Sequence, residues 1–165
     1  MNHNLIFKNA ITAGLIYIIL KVSAFIIGID MKSATDWGIL AITISLFIFF
    51  GKFYALDIES NENKFGTIFL HGFMASLIFI AFISVFTVIY VKFIDVDFYK
   101  KIFDMAEAEM KNHNMDMDKE KMQEMIRLSK KYMTIPYLLL STFLSNIIMC
   151  NIGNFIGAIA FRNKN

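Results

Sequence analysis

The stretch GFMASLIFIAFISVFTVIYV at residues 72–91 decides the fold, because it contains 20 residues and no charged side chain. A helix of about 20 apolar residues is long enough to cross the roughly 30 Å hydrocarbon core of a bilayer. A second uncharged run, at residues 132–161, is 30 residues long. At about 1.5 Å per residue it exceeds the bilayer, so we expect its first part to lie in the interface. Both runs predict membrane-spanning helices.

Two further apolar runs contain one lysine each. Residues 37–56 are apolar apart from Lys52, and residues 9–29 apart from Lys21. A lysine stem can lie along an apolar surface while its ammonium group reaches the headgroups, so neither lysine excludes a span. The first run lacks the small-x-small site of a cleavable signal peptide. We therefore predict an all-α membrane protein with one integral membrane domain over residues 1–165, with spans at 9–29, 37–56, 68–92 and 135–161.

The composition agrees with this interpretation. Hydrophobic residues make up 57% of the 165 positions and charged residues 18%, whereas soluble domains average about 45–50% and 25%. A single cysteine, Cys150, excludes an intramolecular disulfide and a cysteine-rich zinc site. The net charge of +2, without a dense basic run, argues against a nucleic-acid partner. We expect the lipid bilayer as a partner and no cofactor.

The segment at residues 97–131 is the main polar part of the chain. Together with residues 92–96 before it, this segment carries nine Lys/Arg and nine Asp/Glu. Apolar residues recur at helical spacing on both sides of the polar turn NHN at residues 112–114, which predicts two short amphipathic helices between the third and fourth spans. These helices could lie on the membrane surface, cap the bundle or dock a partner.

Small residues form stripes on several predicted spans. Helices in lipid associate through close packing at such residues, so we expect a compact four-helix bundle with the first and fourth spans in close contact. The predicted packing residues are Ala10, Gly14, Gly28, Gly72, Ser76, Gly153 and Gly157.

Lys21 shares the small-residue face of the first span, so we expect it to point toward the bundle. The predicted spans contain no carboxylate to pair with it, which leaves Tyr17, Asn146, Asn151 and backbone carbonyls as acceptors. An ionisable residue inside a span is by default a functional candidate. The alternative is that Lys21 lies off-centre, about 12 Å from Ile29, and partly snorkels.

The other polar residues of the spans have structural explanations at hand. His71 begins the third span and is typical of an interfacial hydrogen-bonding residue. Asn154 in the fourth span is explained by interhelical hydrogen bonding.

One sequence cluster, Met110, His113, Met115 and Met117, combines thioethers with an imidazole, ligands that suit Cu(I). Eleven methionines make chance clustering easy, and the neighbouring methionines serve equally well as apolar contacts.

Catalytic motifs are missing from the sequence: it has no GxSxG, HExxH or GxxxxGK[ST]. We therefore expect a protein that is not an enzyme.

The orientation signals conflict. An even number of spans places both termini on one side of the membrane. The first span is preceded by Lys8 and followed by Asp30, Lys32 and Asp36, and this distribution of charge favours cytoplasmic termini. The nine basic residues at positions 92–131 would favour the opposite orientation. We predict that both termini are cytoplasmic.

Residues 63–97, NKFGTIFLHGFMASLIFIAFISVFTVIYVKFIDVD, resemble the central signature of the domain of unknown function 4199 family. The similar features are Gly66, the pair Gly72–Phe73, Tyr90 and the exit at residues 93–97, where Val96 replaces a proline common in the family. The resemblance implies a multi-pass protein of the bacterial inner membrane and brings no activity or site residues.

Three hypotheses about function remain. The first is an accessory or scaffold subunit that acts by helix packing, as a homo-oligomer or with a membrane protein partner. The alternative is a small oligomeric transporter or channel with Lys21 and the asparagine face of the fourth span in its pathway. The third is a metal-handling protein that uses the Met/His cluster.

Overall fold

The computed structural model describes residues 2–29, 33–57, 64–112, 124, 127–128, 131–132 and 134–162. The helices in this part of the chain are α1 (His3–Ile27), α2 (Ser33–Asp57), α3 (Phe65–Ile89), α4 (Phe98–Asn112) and α5 (Ile135–Phe161). A π-helical turn, Tyr90–Ile94, continues α3. Four of these helices are long and apolar enough to cross a membrane, which confirms the predicted all-α fold with four spans.

The first two spans begin earlier than the hydropathy pattern indicates. α1 begins at His3 because the Asn2 side chain accepts a hydrogen bond from the Leu5 N–H at 3.2 Å and caps the first turn. α2 begins at Ser33, so its first turn contains Asp36. The predicted start at residue 37 excluded this carboxylate.

Gly28 ends α1 through its backbone conformation. Its φ of 76° lies in the left-handed region that glycine adopts without strain. Its N–H donates to the Phe25 carbonyl and the Ile29 N–H to the Ala24 carbonyl, which is the Schellman arrangement. A side chain at Gly28 would meet none of the described residues within 4 Å. The prediction that Gly28 packs against another helix is therefore wrong, because its role is to terminate α1.

One of two compact units comprises residues 1–85 and 142–165. Its core is aromatic: Phe47 of α2 contacts Phe79 of α3 edge to face, with ring centroids 5.4 Å apart. Tyr17 of α1 meets the Phe79 ring at 6.2 Å. Ala10 and Ala13 of α1 are buried in the same cluster. Side chains from facing helices thus fill the middle of the bundle.

Glycines set the closest helix contacts in this unit. A methyl group on Gly153 of α5 would lie 2.7 Å from the Ile44 carbonyl oxygen of α2, and one on Gly157 would lie 2.9 Å from the Ile48 carbonyl oxygen. On α1, a methyl group at Gly14 would overlap the Phe82 ring of α3. The sequence predicts close contact between the first and fourth spans. At these glycines, α1 instead contacts α3, and α5 contacts α2.

The second compact unit comprises residues 86–141. At the end of the π-helical turn the Asp95 N–H donates to the Tyr90 carbonyl at 2.8 Å, and α4 follows. On α4, Ile102 and Phe103 are half-buried whereas Lys100 and Asp104 are exposed. This is the amphipathic pattern that the sequence predicts for the first half of the polar segment.

Candidate functional site: buried polar groups of the helix bundle

Three polar side chains from three helices are buried at one end of the first unit. Asn9 of α1 is 6% exposed and His71 of α3 is 3% exposed. Tyr54 of α2 is fully buried. Each lies within about six residues, or roughly 9 Å, of a helix end. We call these residues the polar trio.

The members of the polar trio are neighbours. The rings of Tyr54 and His71 have centroids 5.6 Å apart at an interplanar angle of 37°. The Asn9 amide lies beside the Tyr54 hydroxyl, although the two groups do not reach hydrogen-bonding geometry. The trio therefore joins α1, α2 and α3 at a single level.

The hydrogen-bond partner of His71 sets its chemistry. Nδ1 lies 2.7 Å from the Thr67 carbonyl oxygen, which can only accept, so Nδ1 carries the proton. In the neutral ring, Nε2 is then an acceptor. Within the described part of the chain, His71 Nε2, Tyr54 OH and Asn9 Nδ2 are all buried without a hydrogen-bond partner. The trio therefore offers one free acceptor, one free hydroxyl and one free amide donor.

A second polar contact connects α3 with α5. Asn154 Nδ2 donates to the Ser76 hydroxyl at 2.8 Å, and that hydroxyl donates to the Gly72 carbonyl at 3.0 Å. A side chain at Gly72 would overlap the Asn154 amide. The Gly72 and Ser76 pair found in the sequence thus makes room for a buried interhelical hydrogen bond.

Lys21 has a partner that the sequence did not suggest. Its Nζ lies 3.3 Å from Asp36 Oδ1, in the first turn of α2. The Lys21 side chain is 14% exposed and that of Asp36 is 60% exposed. The expectation that Lys21 lacks a carboxylate is wrong, because α2 extends far enough to include Asp36.

The two asparagines of the predicted intramembrane polar site make contacts within their own helix. Asn146 donates to the Thr142 carbonyl at 2.8 Å and Asn151 to the Ile147 carbonyl at 2.7 Å, both within α5. The Tyr17 ring contacts Phe79. The hydrogen bonds of the two asparagines do not join them to Lys21.

A shallow groove of about 430 Å³ lies between α3 and α5. Apolar side chains and one amide line it: Phe69, Ile148, Asn151, Ile152, Phe155 and Ile156. Four of these are large apolar residues of α5 with exposed side chains. Such a surface suits contact with acyl chains or other apolar groups.

The candidate copper ligands cannot be placed together. His113, Met115 and Met117 lie outside the described residues. The backbone of Met110 belongs to α4, near its end.

The second unit has a polar corner of its own. Lys101 Nζ lies 2.9 Å from Asp95 Oδ1, and the Asp95 side chain is 2% exposed. Burial raises the pKa of Tyr99, which lies in the first turn of α4. This ion pair links the end of the π-helical turn to α4.

Sequence reasoning named His71 and Asn154 but missed Asn9, Tyr54 and Asp36. Each missed residue has a weak signal of its own, since it is a polar group inside or at the edge of an apolar run. Only the fold brings together positions 9, 54 and 71, which are far apart in the chain.

Comparison with known proteins identifies the family of the chain. The family model described as "Protein of unknown function (DUF4199)" matches residues 8–163, which confirms the resemblance seen in the sequence. No curated protein and no solved structure is significantly similar to the chain.

Proposed function

The chain belongs to the DUF4199 family, and from its own geometry we propose that it is a non-enzymatic membrane subunit that acts by helix packing. In this proposal it contacts a membrane protein partner or a second copy within the bilayer, and α4 contacts the lipid surface or the same partner. The close filling of the bundle between α2, α3 and α5 supports this function.

The glycine contacts carry the argument. Gly153 and Gly157 bring the backbones of α5 and α2 so close that even a methyl group would collide with a carbonyl oxygen. Interfaces of this kind leave no room for a polar path between the two helices. They favour a protein that works as a rigid packing element.

The transport alternative requires Lys21 and the asparagines of α5 to share a pathway. Instead, Lys21 pairs with Asp36, and Asn146 and Asn151 donate to carbonyls of α5 itself. Four helices also enclose little space once their side chains fill the centre. These contacts favour assembly over transport.

The test is purification of the full chain in mild detergent, followed by mass spectrometry of the intact complexes and of any co-purifying proteins and metals. The control is an unrelated four-span membrane protein carrying the same tag. We expect a stoichiometric membrane protein partner or a defined homo-oligomer that the control lacks. A chain that is strictly monomeric and without a partner would contradict the assembly function, and stoichiometric copper would support the metal-handling hypothesis instead.

We further propose that the protein lies in a bacterial inner membrane with both termini cytoplasmic. Four spans place the termini on one side, and Lys8 beside the first span supports the cytoplasmic side. We expect a reporter that works only in the cytoplasm to be active when it is fused after Lys164. Activity of the same fusion only outside the cytoplasm would reverse this orientation.

A further inference from the structure

We propose that the polar trio of Asn9, Tyr54 and His71 binds one small uncharged molecule that both donates and accepts hydrogen bonds, water being the smallest member of this class. The molecule would sit between α1, α2 and α3. This inference is independent of the proposed assembly function, because it concerns groups inside one copy of the chain.

The free atoms of the trio are complementary to such a molecule. Asn9 Nδ2 can only donate, and in the neutral ring His71 Nε2 accepts because Nδ1 donates to the Thr67 carbonyl. Tyr54 OH can do either. A single oxygen atom bearing a hydrogen can accept from Asn9 and Tyr54 while it donates to His71. All three groups are then satisfied at once.

Burial makes this satisfaction energetically important. The three side chains are at least nine-tenths buried, and their free polar atoms have no hydrogen-bond partner in the described part of the chain. A buried polar group without a partner lowers the stability of a protein, because it has lost its hydrogen bonds to water. Buried waters typically bind where two to four such groups converge. The three free polar groups lie on three different helices at one level. One bridging molecule would give each of them a hydrogen-bond partner.

The chemistry of the trio selects an uncharged ligand. With a neutral His71 ring, the trio provides no charge to balance an ion. A charged ligand would therefore enter a buried site without a counter-charge from the trio, which is costly.

Nitrogen NMR on the full chain in lipid nanodiscs tests the proposal. Histidine is labelled with ¹⁵N, and the His71 signals are identified by their loss in His71→Gln. We expect a neutral ring with the proton on Nδ1 and with Nε2 accepting a hydrogen bond. We also expect magnetisation transfer to this ring from a bound molecule. Transfer from the water frequency identifies water, and transfer from carbon-bound protons identifies a small alcohol or amide.

Two tyrosine variants provide a matched comparison. Tyr54→Phe removes a hydroxyl of the trio, and Tyr17→Phe removes a hydroxyl of the same bundle outside it. We expect the transfer to the His71 ring to fall at least tenfold in Tyr54→Phe and to stay within twofold of wild type in Tyr17→Phe.

Three results would overturn the proposal, and all can be read even if a tyrosine variant does not fold. One is a proton on Nε2. Another is a His71 ring that receives no transfer from a bound molecule. The third is a hydrogen bond donated to Nε2 directly by the Tyr54 hydroxyl, which would mean that the trio satisfies itself.

Discussion

The contact between α1 and α3 differs from the contact between α2 and α5, although glycine makes both. At Gly14 the atoms next to the glycine belong to the Phe82 ring, which is a side chain. At Gly153 and Gly157 they include the carbonyl oxygens of Ile44 and Ile48. A ring can rotate into a neighbouring rotamer, whereas a helix backbone can move only as a whole. The α2–α5 contact therefore fixes the bundle, and the α1–α3 contact adjusts to it.

The largest effect is expected at the rigid contact. In Gly153→Ala the new methyl group would lie 2.7 Å from the Ile44 carbonyl oxygen and 2.9 Å from Phe47 Cβ. Overpacking of this kind costs about 1–3 kcal/mol, and we expect the upper half of that range. The free energy of unfolding in mixed micelles measures it. Gly66→Ala, where a side chain would meet none of the described residues within 4 Å, is the matched control and should be neutral or slightly stabilising.

A smaller effect is expected at the adjustable contact. Gly14→Ala should cost about 1 kcal/mol, because the Phe82 ring must leave its preferred position. The double variant Gly14→Ala with Phe82→Leu should recover part of the loss, and the same unfolding assay reports it. Equal losses in Gly14→Ala and Gly153→Ala would remove the distinction between the two contacts.

The hydrogen bond between Asn154 and Ser76 connects the two regions, since it joins α3 to α5. A double-mutant cycle with Asn154→Ala and Ser76→Ala should give a coupling energy of about 0.6 kcal/mol, the typical value for such bonds in membranes. A coupling energy indistinguishable from zero would mean that the bond adds nothing to the α3–α5 contact.

The smallest effect is expected at the Lys21–Asp36 ion pair. Asp36 is 60% exposed, and ion pairs with an exposed partner contribute about 0–1 kcal/mol. Lys21→Met should therefore change the free energy of unfolding by less than about 0.5 kcal/mol. A loss above 2 kcal/mol, or loss of a transport activity in reconstituted vesicles, would show that Lys21 has a role beyond the ion pair.

Much of the fold follows from the sequence because hydrophobic thickness is a local property. The uncharged run at residues 72–91 needs no knowledge of its neighbours to predict a span. Helix ends also have local signals, and Gly28 after an apolar run is one of them. The start of α2 was missed because hydropathy cannot distinguish a polar first turn from a loop. Asp36 therefore falls outside the span that the sequence predicts.

The polar groups were harder to predict because their partners are set by helix packing. A stripe of small residues shows that a helix has a close neighbour, but it does not say which one. At Gly153 and Gly157 the close neighbour is α2. The polar trio depends on the alignment of three helices, which no single stretch of sequence encodes.

The accessibility of Cys150 tests most directly whether the bundle is closed. This is the only cysteine in the chain, and it is fully buried, with its thiol beside the Ser76 hydroxyl. We expect a small water-soluble thiol reagent to leave it unmodified in nanodiscs and to modify it fully after denaturation in SDS. The control is Asp104→Cys in a Cys150→Ser background, which should react at once because position 104 is exposed. Modification of native Cys150 at a rate close to that of the control would contradict a closed bundle and support a water-filled path.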